Sequence, residues 1–296
     1  MSTPWREVAL PPGWAPYAVV EDAAGTLWAT VLDPPGIARV TPAGGSADEI
    51  RHEVLPAGAG RPMLLAIASD GALWCTRADD RLSRRDASGT HAVIDLRPGT
   101  APYGIAAAAD GGIWFTAPGR NRIGHRTPIG EVVEIDLPVA AAQPAMITVD
   151  AGGTAWAALN GVGALAAVDD GGVRIVTLPA GRVPASPVGV AASAAGVWYA
   201  DIAGGCVGRV EPSGVVRQHH FADAGCRPHA VAADSDGGCW VTLWASGQLA
   251  RVTADGAVTL HDLPGREPHG LWVADSVVWV AMESGSLVAV ARSEVG

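Results

Sequence analysis

Glu267, His269 and Glu283 are the residues whose types and spacing most clearly suggest chemistry. Two carboxylates suit a hard cation, and a neutral imidazole beside them is a competent general base near pH 7. His229 stands at the repeat position of His269 one unit earlier, Tyr17 at that position one unit later around a closed ring, and Trp244 at the position of Glu283. The set is expected to form one polar pocket with an aromatic wall. Magnesium suits such a pocket, because it takes a few carboxylate oxygens and keeps places for water or a substrate oxygen. A zinc centre would need His229, His269 and one glutamate as direct ligands, and ranks below it. The bland alternative has both histidines capping strands and the glutamates solvated. Several departures from the repeat, coinciding in one pocket, weigh against it.

The elements that must position these residues are written in a repeat. Seven units each open on a proline and reach a tryptophan 11 or 12 residues later: Pro16/Trp28, Pro62/Trp74, Pro102/Trp114, Pro144/Trp156, Pro187/Trp198, Pro228/Trp240 and Pro268/Trp279. The prolines are 46, 40, 42, 43, 41 and 40 residues apart, the length of a four-stranded propeller blade. Short Val/Ile/Leu/Thr runs between Gly and Asp turns agree with that reading. The expected fold is all-β, a seven-bladed β-propeller of four-stranded blades, in one domain over residues 1–296.

The seventh unit runs out of residues before its fourth strand. Glu7-Val8-Ala9-Leu10-Pro11 matches the fourth-strand segments Glu134–Pro138 and Leu260–Pro264, so the N-terminal strand is expected to close the ring. Strands one and two of a blade run antiparallel. A residue entering strand one (Glu267, His269) and one leaving strand two (Glu283) therefore share an end. Trp272 replaces a small or β-branched residue on strand one and is expected to block part of the central tunnel.

Composition narrows the class. A net charge of −10 argues against nucleic acid, whose phosphates need clustered cations. The N-terminus carries no apolar leader and no run of 18 apolar residues occurs, so no membrane partner and a cytoplasmic location are expected. Cys75, Cys206, Cys226 and Cys239 lack metal-ligand spacing and read as buried thiols. His219-His220, Asp79-Asp80 and Arg84-Arg85 read as surface or solvated groups.

Over essentially its whole length the chain resembles the streptogramin B lyases, the virginiamycin B lyase family. The seven Pro-to-Trp units carry the resemblance, and Glu267-Pro268-His269-Gly270 followed by Glu283 is its more specific part. The resemblance implies a carbon–oxygen lyase that linearises cyclic depsipeptide antibiotics with Mg2+, by elimination and not hydrolysis. On that footing His269 resembles the proton acceptor, Glu267 and Glu283 the magnesium ligands, and His229 a substrate-binding residue, with Tyr17 and Trp244 lining the same pocket. A monomer acting on a small molecule is expected. The competing readings are a propeller lactone hydrolase, which would add water, and a non-enzymatic interaction scaffold.

Overall fold

The computed structural model describes residues 5–42, 48–56, 60–181 and 183–292. It is a ring of seven four-stranded antiparallel sheets. Each opens on an innermost strand: Pro16–Glu21, Pro62–Ile67, Ile105–Ala107, Pro144–Val149, Pro187–Ser193, Pro228–Ala233 and Pro268–Val273. These define blades one to seven. Blades one to six are simple meanders of four consecutive strands. Blade seven takes its three inner strands, Pro268–Val273, Val277–Met282 and Ser286–Ala291, from the end of the chain and its outer strand, Trp5–Ala9, from the beginning. Trp5 pairs with Val290 and Ala9 with Ser286, so the predicted closure is present.

Apolar residues, most of them on strands one to three, fill the space between neighbouring blades. Val8, Val19, Leu27, Trp279 and Leu287 join blade seven to blade one, and Trp240, Leu249, Val278 and Val288 join blade six to seven. The strand-two tryptophans lie near basic side chains: Arg39 over Trp28 at 5.5 Å, Arg251 over Trp240 at 5.4 Å, and His125 stacked on Trp114 at 4.1 Å. Burial of the indole is thus combined with a cation or ring above its face. Trp272 is half-buried and packs against two of these clusters, one between blades seven and one and one between blades one and two.

All four cysteines are buried and free, and burial pushes the Cys75, Cys206 and Cys226 thiols up to about 12. These are inert packing groups at neutral pH. One expectation needs correcting. Asp79 and Asp80 are not free solvated charge. Asp79 bridges Arg77, whose side chain is fully buried, at 2.6 Å and Arg81 at 2.9 Å, while Asp80 accepts the backbone N–H groups of Gly99 and Ala101. Arg84 and Arg85 likewise reach Asp70 and Glu53, each at 2.8 Å. A guanidinium drawn into a blade requires a partner, and charge runs alone do not reveal which ones go inside.

Candidate active site

Local irregularity aims the site residues at the axis. Pairing between strands one and two of blade seven slips between Pro268 and Leu271, leaving His269 and Gly270 outside the regular ladder. Blade six slips likewise between Pro228 and Val231, around His229. A bulge of this kind re-aims side chains and leaves backbone groups to be satisfied elsewhere. Thr242 on strand two of blade six does this: its hydroxyl accepts the Ala230 N–H at 2.9 Å and donates to the His269 carbonyl at 2.8 Å, tying blade six to blade seven. Thr30, Thr76 and Thr116 make the same link to the carbonyls of Met63, Tyr103 and Ala145.

At Gly270 a Cβ would stand 2.7 Å from the Ala18 Cα and 3.0 Å from the Tyr17 carbonyl oxygen, so glycine permits blade one to press against blade seven. That approach brings Tyr17 beside His269, with ring centroids 4.4 Å apart. His229 meets His269 edge-on at 4.7 Å and lies 6.2 Å from Tyr17.

The glutamates arrive through a second register common to several blades. In every blade but the third, the residue before the repeat's proline accepts a backbone N–H from the residue following strand two. Glu283 donates to Glu267 at 3.2 Å, Trp244 to Arg227 at 3.0 Å and Leu32 to Ala15 at 2.9 Å. Trp244 is therefore the blade-six counterpart of Glu283, as the repeat predicts. Glu267 adopts φ +58°, and Ala101, Gln143 and Arg227 share that left-handed form at the same position. The conformation belongs to the scaffold and not to the chemistry.

His269 Nε2 lies 2.6 Å from Glu283 Oε2, and the Trp244 indole N–H reaches the same nitrogen at 3.2 Å. One nitrogen cannot serve both partners in one tautomer: protonated it donates to the carboxylate, and unprotonated it accepts from the indole. Among the described residues the buried His269 Nδ1 has no partner, so Nε2 is the nitrogen turned to the pocket. Burial lowers the His269 pKa, opposed by the charges of Glu283 and Glu267. Burial and the neighbouring His269 drive His229 down to about 3. Burial therefore disfavours the charged form of both rings.

The structure thus brings together Tyr17, His229, Trp244, His269 and Glu283, with exposed Glu267 tied to them through its backbone. It also adds Tyr103, whose hydroxyl meets that of Tyr17 at 2.6 Å. Tyr103 fills the second position of repeat three, the place of Tyr17, His229 and His269 in theirs. That equivalence was the signal available in the sequence. Among the described residues no three His, Cys, Asp or Glu side chains converge on a metal-sized space. An all-protein zinc centre is poorly served by this arrangement. Glu267 and Glu283 stand on tied backbone segments, and of their carboxylate oxygens only Glu283 Oε2 is hydrogen-bonded among the described residues, so both carboxylates keep oxygens that could hold a cation with water or substrate oxygen.

The model of the virginiamycin B lyase family matches residues 4–290. The chain belongs to the virginiamycin B lyase family. A virginiamycin B lyase of Nocardia farcinica is 38% identical over 275 residues, covering 92% of this chain and 94% of that protein. Virginiamycin B lyase from Staphylococcus aureus superposes with a TM-score of 0.90 at 27% identity, over 96% of this chain and 98% of that one. A catalytically inactive histidine-to-alanine variant of the Staphylococcus aureus enzyme, crystallised with quinupristin, matches with a TM-score of 0.88 at 27% identity, again over 96% and 98%. Within this family fold, the polar end of blades six, seven and one is the place where the present chain concentrates its reactive groups.

Proposed function

We propose that this family member is a lyase that opens cyclic depsipeptides of the streptogramin B type at their ester bond by elimination. The observation that carries the reading is the buried His269 imidazole with Nε2 turned to the pocket between Glu283 and Trp244. In such a substrate the alkoxy carbon is β to an amide carbonyl. His269 Nε2 accepts the α-proton, the C–H electron pair becomes the new C=C bond, and the ester C–O pair leaves with the carboxylate. No water enters the product.

Glu267 and Glu283 would hold Mg2+, which when bound supplies stabilisation of the negative charge that grows on the amide oxygen. His229, Tyr17 and Trp244 bind and orient the ring. The indole N–H of Trp244 holds Nε2 as an acceptor when Glu283 turns away from it. The buried, uncharged His229 gives a neutral wall that does not compete for the proton.

Incubation with a streptogramin B and magnesium, followed by mass spectrometry, tests the reading. A ring-opened product of unchanged mass with a new alkene is expected, and its formation should stop with EDTA. A product heavier by one water would replace the lyase with the hydrolase. Full activity in EDTA would remove the cation.

A further inference from the structure

Seven residues occupy the second position of the repeat and crown the axis: Tyr17, Met63, Tyr103, Ala145, Val188, His229 and His269. Three are apolar and two are the histidines of the site. The remaining two are phenols from blades one and three, which are not neighbours. They meet across Met63, ring centroids 6.4 Å apart and hydroxyl oxygens at 2.6 Å. Both belong with the apolar cluster that runs round the inner strands, Tyr17 within it and Tyr103 packed against it, together with Met63, Ala145 and Val188.

Two hydroxyls carry two protons, and one contact between them uses only one. Among the described residues, no other side-chain or backbone group accepts from either oxygen. The second proton is therefore free for another acceptor. The pair lies beside the base, since the Tyr17 ring is 4.4 Å from His269. Burial raises the pKa of both phenols, so the pair stays protonated and cannot compete with His269 as a base. A hydroxyl already accepting a hydrogen bond is a stronger donor, because each bond polarises the next. An apolar surround with one uncommitted O–H suits an oxygen that gains negative charge.

We propose that Tyr103 is a further functional residue of this site, and that the joined hydroxyls of Tyr17 and Tyr103 donate a hydrogen bond to the carboxylate released as the ester opens. This rests on the elimination reading above. The carboxylate leaves with the C–O electron pair and receives a hydrogen bond but no proton. The α-proton stays on His269. The phenols thus serve the leaving group, at a point distinct from the amide oxygen.

The test uses Tyr17→Phe, Tyr103→Phe and the double variant of the full chain, with thermal unfolding to verify that each is folded. Each substitution keeps the ring and removes only the hydroxyl. If one phenol touches the leaving oxygen and the other polarises it, kcat falls by about 10²-fold for the contacting phenol and by less for its partner, with KM changed little. The double variant should be no worse than the more damaging single one, as expected of groups acting as a unit.

A second measurement needs no turnover: calorimetric binding of the linearised depsipeptide against its methyl ester. Either hydroxyl deletion should weaken the carboxylate form and leave the ester unaffected. Unchanged kcat and unchanged discrimination in both single variants would overturn the proposal and leave the phenols as wall residues. If the wild-type chain opened no depsipeptide yet still preferred the carboxylate through Tyr103, the lyase reading would fail and the donor pair would stand.

Discussion

The critical atom of the site is His269 Nε2, contested by a carboxylate at 2.6 Å and an indole N–H at 3.2 Å. A base held this way is pinned in direction by two groups while its other nitrogen is sealed in the fold. General bases commonly contribute about 10²–10⁴-fold. His269→Ala is expected to lose activity on that order in a steady-state assay, with its melting temperature nearly unchanged. His229→Ala should cost less, because His229 orients substrate and takes no proton. Equal losses from the two would show that the proton is shared between the rings. Tyr17, His229, Trp244 and Glu283 were legible around His269 because a propeller turns repeat position into spatial position. Tyr103 was missed for a physical reason. Repeat position brings adjacent blades together, whereas a phenol is long enough to cross past the blade between. Arg77 was illegible in another way, since nothing in a charge run says which guanidinium is drawn inside.

At the scale of the strand, the bulges could not be read from the proline-to-tryptophan spacing, which is nearly constant whether or not the ladder slips. Their compensation was visible, however, as a threonine two residues after the tryptophan in repeats one, two, three and six. Thr242→Val keeps the shape and removes both bonds, stranding the buried Ala230 N–H and the His269 carbonyl. Unsatisfied groups of this kind cost about 1–3 kcal/mol each. Thr242→Val is expected to lower unfolding stability on that scale and to reduce kcat as well, because the released carbonyl belongs to the residue that carries the base. Thr116→Val removes the same pair of bonds at Gly104 and Ala145. It should cost similar stability and much less activity. Equal kinetic losses in denaturant-matched assays would mean that the link supports the ring in general and not His269 in particular.

At the scale of the whole molecule, seven blades, their boundaries and the closing strand were all legible, because one period governs the entire chain and its last unit is short. Blade seven is both the seam of the ring and the blade that supplies Glu267, His269 and Glu283. Removing residues 1–11 would leave the Ser286–Ala291 strand with an open edge and uncover the apolar seam around Val19, Leu27 and Leu287. A fall in melting temperature of more than about 10 °C is expected by scanning calorimetry, with activity lost at or before that transition. An unchanged transition would mean that the ring does not depend on this strand.

The pairing of Trp5–Ala9 with Ser286–Ala291 also sets an order of events in time. As the polypeptide leaves the ribosome, this strand emerges before blades one to six and its partner after them. Throughout that interval its hydrogen-bonding edge has no native neighbour, and Val8 and Leu10 have no native surface to cover. Glu267, His269 and Glu283 appear in the same late stretch of chain. A ribosome that stalls after the sixth blade therefore releases a well-formed run of sheets that has no base, no carboxylate pair and a waiting sticky end. Glu267, His269, Glu283 and the partner that closes the ring therefore arrive together.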